Sequence, residues 1–126
     1  CDVGKQMRRD MGLMDRDLYD LAPLYDTSFE LDKAARLEYG ETRMTHAMLF
    51  TGVDVVDGAA RRWRVENSWG ADAGQKGFFT MNDSWFDEYT FEIAARRDYL
   101  PPDLQAALAL EPVVLPPWDP MGALAR

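Results

Sequence analysis

Residues 44–70, MTHAMLFTGVDVVDGAARRWRVENSWG, decide the fold of this 126-residue chain. The apolar, β-branched run at 48–56 predicts a strand, and Asp57-Gly58 is a strong signal for a two-residue hairpin turn. Residues 62–69 alternate between charged and apolar side chains, which indicates the returning strand. The stretch therefore predicts a β-hairpin with a histidine before its first strand and an asparagine on its second.

The hairpin brings its two most reactive polar side chains together. His46 lies 11 residues before Asp57 and Asn67 lies 9 residues after Gly58. A tight hairpin places the two residues nearly opposite each other. The remaining offset of two residues can be absorbed by a loop or a bulge. The only histidine of the chain and an asparagine are therefore predicted neighbours.

This pairing suits acid–base catalysis. An Asn oxygen can accept a hydrogen bond from one imidazole nitrogen and aim the other nitrogen at a nucleophile. Because Asn carries no charge, it suits a thiolate–imidazolium pair, in which the nucleophile is already ionised. Trp69 can cover the bond and exclude water. His46, Asn67 and Trp69 are thus the candidate catalytic group, and the alternative is a buried His–Asn pair that serves packing alone.

Composition excludes several classes of protein. Fourteen Lys and Arg against 22 Asp and Glu give a net charge of −8, which argues against nucleic-acid binding. One Cys and one His cannot form an internal disulfide or the usual zinc site, so no metal or cofactor is expected. No stretch approaches 18 apolar residues, which predicts no membrane span. The lone thiol and the absence of a signal-like opening favour a cytoplasmic location.

Residues 1–45 are predicted as a helical and loop-like lead-in. Three methionines at spacings of four and three predict one helix face that fills the core: Met7, Met11 and Met14. A second short helix is predicted from Asp15 to Asp20. Asp32 is the predicted cap of a helix over 33–39, which Gly40 ends.

Residues 46–97 are predicted as an antiparallel unit of about four strands. The hairpin supplies two, residues 78–81 a third and residues 89–94 a fourth, with Ser84 as the cap of a short helical turn. Residues 98–126 predict a short helix over 103–110 and then a proline-rich, extended arm. The apolar side chains of this arm are expected to lie in a groove: Trp118, Met121 and Leu124.

Motifs along the whole chain carry a resemblance. It resembles the C-terminal half of a papain-like cysteine peptidase at Thr45-His46-Ala47, Glu66-Asn67-Ser68-Trp69-Gly70 and Lys76-Gly77-Phe78. It is similar to the bleomycin hydrolase and aminopeptidase C family at Cys1-Asp2-Val3-Gly4-Lys5, Leu18-Tyr19-Asp20, Met44-Thr45-His46-Ala47-Met48, residues 63–70 and residues 117–125. The Asn-Ser-Trp-Gly motif alone is moderately specific, and the proline-rich ending makes the combination very specific.

The resemblance implies an α+β fold, the β-rich, His/Asn-bearing C-terminal half of a papain-like peptidase with short helices and an extended arm. It implies that residues 1–126 are one C-terminal fragment, in which His46 is the general acid/base, Asn67 its orienter and Trp69 its shield. The nucleophilic cysteine of the family lies near the N-terminus of the full protein, and Cys1 does not match it. The fragment alone is therefore expected to be inactive and to need the remainder of its own polypeptide.

The family also implies a role for the end of the chain and an assembly. The arm lies along the cleft and limits substrates to peptides with a free N-terminus: Gly122, Ala123, Leu124, Ala125 and Arg126. The full-length protein is expected to be a homohexamer. Two alternatives to a peptidase stay open, a non-catalytic β-rich interaction module and a regulatory fragment that docks its proline-rich tail on another protein.

Overall fold

A computed structural model describes residues 1–125 as an α+β structure built on one five-stranded mixed sheet. The elements are β1 (Met7–Arg8), β2 (Leu13–Met14), α1 (Ala22–Tyr25), α2 (Lys33–Glu38), β3 (Leu49–Val56), β4 (Ala59–Glu66), β5 (Phe78–Asn82), α3 (Asp83–Tyr89) and α4 (Pro102–Ala107), with 3-10 turns at Arg97–Tyr99 and Pro120–Ala125. The strand order is β1-β2-β5-β4-β3. Within residues 1–125, no helix has the length and apolar character that crossing a membrane requires.

The predicted hairpin is confirmed as β3 and β4. Asp57 and Gly58 both have positive φ, 51° and 81°, as a type I′ turn requires. The pairing shifts register between Phe50 and Gly52 and again between Asp54 and Val55. The returning strand ends at Glu66, so the Asn-Ser-Trp-Gly motif lies just beyond the sheet.

The core lies where β4, β5 and α3 meet. Its fully buried side chains are Met14, Val65, Phe79, Met81 and Trp85. Strand β5 contributes alternate residues to it, because successive side chains of a strand point to opposite faces. The Trp85 indole N–H donates to the Lys5 carbonyl at 3.0 Å, which ties the start of the chain to this core.

The predicted helix through the three methionines is wrong. The segment forms β1 and β2, and only Met14 is fully buried, while Met11 is 49% exposed. Gly12 has φ +67° and packs against the backbone of Gly74, a conformation that a helix does not allow. The lead-in therefore supplies two strands rather than a helical layer.

The predicted helix from Asp15 to Asp20 is also wrong. Asp15 instead accepts the backbone N–H of Asp17 on its side chain at 2.8 Å and that of Leu18 on its carbonyl at 3.2 Å. These bonds make a turn, the alternative that an aspartate side chain offers to helix. Asp15 also accepts a hydrogen bond from the Asn82 side chain at the end of β5.

The predicted fourth strand at 89–94 is wrong, so the antiparallel unit within residues 46–97 has three strands, β3, β4 and β5, rather than four. Tyr89 ends α3 and is buried with Trp85, one helical turn earlier. Lys33 donates to the carbonyls of Asp87 and Thr90 at 2.7 and 2.6 Å, so a cation caps the C-terminus of this helix. The sheet is mixed because β2 runs parallel to β5. Ser84 is not the cap of α3, which follows Asn82.

The predicted helix over 33–39, capped by Asp32, is confirmed as α2. The Asp32 carboxylate accepts the Ala35 N–H at 2.7 Å, and Gly40 follows the helix with φ +71°. Helix α4 is confirmed but ends at Ala107, three residues before its predicted end.

The arm does not occupy a groove within residues 1–125. Trp118 is 82% exposed and Met121 48% exposed, and Leu124 is half-buried. The last 3-10 turn lies beside α2. Residues 1–125 themselves form no covering surface for Trp118, and the predicted position of the arm in a groove stays a prediction. Arg126 lies outside the described residues.

Candidate active site

His46 and Asn67 flank the open end of the β3–β4 hairpin. His46 precedes β3, Asn67 follows β4, and His46 Nε2 lies 2.9 Å from Asn67 Oδ1. Leu49 pairs with Glu66 in the last register position, which leaves the two side chains to meet just beyond the sheet. The predicted proximity of the two residues is confirmed.

The orientation of the Asn67 amide is fixed by a second bond. Oδ1 also accepts the Ser68 backbone N–H at 2.8 Å, and Nδ2 faces the Met48 sulfur at 3.5 Å. Because an amide oxygen only accepts, His46 Nε2 must carry the proton in this bond. Nδ1 then makes no hydrogen bond to any of residues 1–125. The arrangement leaves one imidazole nitrogen for proton transfer.

Trp69 shields the His–Asn bond. Its indole stacks on the imidazole with ring centroids 4.7 Å apart and an interplanar angle of 28°. Phe79 of the core meets Trp69 edge to face at 5.9 Å, so the indole is held from its far side. Asn67 is 7% exposed while His46 is half-buried, which keeps the bond dry and the imidazole accessible.

The backbone of His46 is held by the first residue of the chain. The Cys1 carbonyl accepts the N–H groups of Thr45 and His46 at 2.9 and 3.2 Å. Cys1 N and Sγ in turn donate to the His46 carbonyl at 3.1 and 3.3 Å. The thiol thus faces the main chain of His46 rather than its ring, as expected for a cysteine that is not the nucleophile.

A buried carboxylate anchors the segment that leads into His46. Asp2 is 3% exposed and accepts the Thr42 hydroxyl at 2.9 Å and the backbone N–H groups of Gly4 and Arg43 at 3.1 and 3.4 Å. A buried carboxylate is stable in a fold only when such donors surround it. Asp2 therefore fixes the path of the chain just before the imidazole.

His46 lies apart from two depressions on the surface of the sheet. Two surface depressions lie on the sheet, one beside Val53 and Phe78 and one beside Val56 and Ser84. Neither includes His46. The described residues 1–125 contain no group of three or more His, Cys, Asp or Glu side chains placed to hold a metal ion.

Comparisons with known proteins identify the family. The family model described as the Peptidase C1-like family matches residues 1–122. The chain belongs to the Peptidase C1-like family. It is 53% identical to aminopeptidase C of Lactococcus lactis subsp. cremoris over 126 residues, which covers 99% of this chain and 29% of the relative. It is 50% identical to bleomycin hydrolase of Homo sapiens over 130 residues, which covers 100% of this chain and 29% of the relative.

A solved structure shows the same fold. The crystal structure of PepW from Lactobacillus rhamnosis HN001 matches with a TM-score of 0.88 and 48% identity, covering 98% of this chain and 28% of that one. The predicted resemblance and the predicted α+β, papain-like fold are confirmed. This Peptidase C1-like chain spans less than a third of the length of these relatives.

The predicted site residues of this Peptidase C1-like chain fall into two groups. The structure brings three together at the hairpin: His46, Asn67 and Trp69. The arm residues Gly122 to Ala125 lie in the last 3-10 turn, which packs beside α2, and their role as a limit on substrates stays a prediction. Sequence reasoning missed Asp2 and Arg9, whose guanidinium lies over the Trp69 ring. Asp2 lies in the Cys1-Asp2-Val3-Gly4-Lys5 motif, but no sequence signal marks its anchoring role or the position of Arg9, because these contacts join distant segments.

Proposed function

We propose that this chain supplies the acid–base half of a cysteine-type aminopeptidase. The observation that carries the proposal is the 2.9 Å contact between His46 Nε2 and Asn67 Oδ1, covered by Trp69. An imidazole held in one tautomer and orientation, with its second nitrogen free, is what a thiol nucleophile requires. The names of the relatives, aminopeptidase C and bleomycin hydrolase, support a peptidase.

The proposed reaction divides between this chain and the rest of the polypeptide. A cysteine thiolate from a segment outside these 126 residues attacks the carbonyl carbon of the peptide bond. As the C–N bond breaks, the His46 imidazolium gives its Nδ1 proton to the departing amine. His46 then takes a proton from the water that hydrolyses the thioester. Through both steps Asn67 holds Nε2, so the imidazole does not rotate away.

The proposed substrates are peptides with a free N-terminus, and residues 122–126 are the proposed limit on them. A terminal carboxylate in a cleft pairs with an α-ammonium and obstructs a longer chain. In the full-length enzyme, deletion of residues 122–126 should shift cleavage from the N-terminus towards internal bonds. Digests of one long peptide, analysed by mass spectrometry, measure this, and unchanged cleavage positions would disprove the role of the arm.

The exposed edge of the sheet indicates that another part of the protein covers this chain. Strand β3 is an edge of the sheet and exposes large apolar side chains: Leu49, Val53, Val55 and Val56. An exposed apolar edge strand is typical of a surface that another part of a protein covers. We assign this cover to the remainder of the same polypeptide, and place the full-length protein in the cytoplasm as a homohexamer. Analytical ultracentrifugation tests the hexamer.

The test of function uses the full-length protein and an aminoacyl-coumarin substrate. We expect turnover that thiol alkylation abolishes and that an N-acetylated substrate does not support. Asn67→Ala should lower kcat/KM by about 100-fold, because the imidazole loses its fixed orientation. The 126-residue chain alone should be inactive. Clear turnover by that chain, or an Asn67→Ala enzyme as fast as the wild type, would overturn the proposal in favour of a structural His–Asn pair.

A further inference from the structure

An arginine lies on the rim of the candidate site without an ionic partner. The Arg9 guanidinium carbon lies 4.9 Å from the centre of the Trp69 ring, and Arg9 is exposed. The adjacent carboxylate, Asp10, is occupied by Arg8, whose Nε and Nη2 donate to it at 2.9 and 2.7 Å. Within residues 1–125, no carboxylate forms a salt bridge with Arg9. Its positive charge is therefore available to a ligand.

The position of Arg9 is built into the fold. Its carbonyl accepts the Gly74 N–H at 2.9 Å, and Gly74 packs against Gly12 so closely that a Cβ on Gly74 would lie 3.0 Å from the Gly12 Cα. Gly12 in turn accepts the Thr80 N–H of β5 at 2.8 Å. Two glycines without side chains thus bring the Arg9 segment against the loop that follows Trp69. The main chain of Arg9 is fixed relative to the site, and only its side chain remains adjustable.

The proposed reaction determines which part of a substrate lies near Trp69 and Arg9. The general acid protonates the departing amine, so the residue that leaves begins next to His46. The centre of the Trp69 ring lies 4.7 Å from the centre of that imidazole, and the guanidinium carbon of Arg9 lies 4.9 Å from the centre of the Trp69 ring. Two hydrogen bonds and the backbone of one amino acid span about 8 Å. The guanidinium carbon lies no further from the imidazole centre than the sum of the two ring distances, which exceeds this span by about 2 Å at most. A change of rotamer in the exposed Arg9 side chain can close that difference, and one amino acid can then bridge the two groups.

We propose that Arg9 is a specificity-determining residue that binds a carboxylate on the residue immediately after the cleaved bond. This inference rests on the proposed function and adds a binding contact for the part of the substrate that leaves as the amine. A planar guanidinium matches a carboxylate with two parallel hydrogen bonds. The carboxylate has two sources, the free C-terminus of a dipeptide and an Asp or Glu side chain in a longer peptide.

Paired substrates that differ by one charge test this in the full-length enzyme. The first pair is a dipeptide and its C-terminal amide, and the second is a tripeptide amide with Asp or Asn as its second residue. We expect the wild type to favour the carboxylate member of at least one pair by about fivefold in kcat/KM. Arg9→Ala should abolish that preference, and Arg9→Glu should reverse it. The pair that responds identifies the source of the carboxylate.

Two controls separate this inference from the proposed function. Turnover of an aminoacyl-coumarin, which has no charge on its leaving side, measures the peptidase activity of each variant without the proposed contact. Arg61→Ala removes the same charge at the far end of the hairpin and should keep the wild-type preference. Equal carboxylate preferences in wild type and Arg9→Ala would overturn the role of Arg9 while leaving the peptidase intact. Loss of coumarin turnover in the wild type would instead overturn the peptidase.

Discussion

The two ends of the β3–β4 hairpin are built in opposite ways. At the closed end, Asp57 and Gly58 turn the chain with positive φ angles, and both residues are exposed. At the open end, a histidine and an asparagine meet under a tryptophan, and the asparagine is buried. The closed end is stabilised by residues adjacent in sequence, whereas the open end depends on contacts from Cys1, Asp2 and the loop after Trp69.

This difference separates a structural connection from a candidate functional site on the same pair of strands. A hairpin turn needs only local backbone conformation, so substitutions there affect little else. Positioned catalytic groups need support from several segments, because a small displacement of the imidazole costs much of the rate. Variants at the open end should therefore affect activity and stability strongly, and variants at the closed end should affect them weakly.

His46→Ala in the full-length enzyme should have the largest effect. It removes the proposed proton donor and acceptor, so kcat/KM for an aminoacyl-coumarin should fall by about 1000-fold. Asp54→Asn, near the closed end, is the control and should retain wild-type kcat/KM. Steady-state kinetics measure both, and residual activity within tenfold of wild type in His46→Ala would contradict an acid–base role.

Alanine substitutions at Gly74, near the open end, and at Gly58, at the closed end, compare how strongly the two ends affect the free energy of unfolding. A Cβ at Gly74 would lie 2.6 Å from the Phe78 carbonyl oxygen and 3.0 Å from the Gly12 Cα, both backbone atoms that cannot move aside. A Cβ at Gly58 meets nothing within 4 Å. Both residues have positive φ, which costs an alanine about 1 kcal/mol. Gly58→Ala should therefore lower the free energy of unfolding by about 1 kcal/mol.

Gly74→Ala should lower the free energy of unfolding by about 3 kcal/mol, because overpacking adds to the same backbone strain. Urea denaturation of the two full-length variants measures the difference. Equal losses would show that the close approach of Gly12 and Gly74 relaxes at no cost, and the fixed position of the Arg9 segment would then lose its support.

Asp2 tests the anchoring of the open end. Asp2→Ala leaves three donors without their acceptor, among them the buried Thr42 hydroxyl, and should lower the free energy of unfolding by about 2 kcal/mol. Asp2→Asn keeps one acceptor oxygen and should cost less. Thermal denaturation ranks the two against wild type, and an Asp2→Ala protein as stable as wild type would exclude the anchoring role.

The same contrast explains what could be predicted from sequence. The hairpin, its turn and the meeting of His46 with Asn67 follow from counting residues outward from Asp57-Gly58, because a local turn sets the register. The strand predicted at 89–94 failed because Tyr89 completes a helical pair with Trp85, and Lys33 caps that helix from a distant segment. Such tertiary contacts override the local preference of aromatic and β-branched residues for strands.

The shortest strands could not be predicted from the sequence for a related reason. β1 and β2 have two residues each, too few for any periodicity, and the pairing of β2 with β5 is set by backbone approach at Gly12. The roles of Asp2 and Arg9 depend on distant partners, Thr42 for Asp2 and Trp69 for Arg9, which no local pattern reveals. The part of the candidate site that the sequence predicts is the part that one hairpin holds, and the rest depends on the complete fold.

The smallest expected effect is at the closed end, in the ion pair of Asp54. Arg61 Nε and Nη2 donate to its carboxylate at 2.8 and 2.6 Å, and these bonds hold the pKa of Asp54 below its ordinary value of 3.8. A carboxyl whose pKa is lower in the folded state adds stability above pH 3.8 and loses it as the pH falls through the folded-state value. Because the pair is exposed, Asp54→Asn should lower Tm only slightly at about pH 7, and the difference should shrink on acidification below pH 3.8 and in high salt. Thermal melts of wild type and Asp54→Asn across this range measure it, and a difference that grows as the pH falls would contradict a stabilising ionised carboxylate.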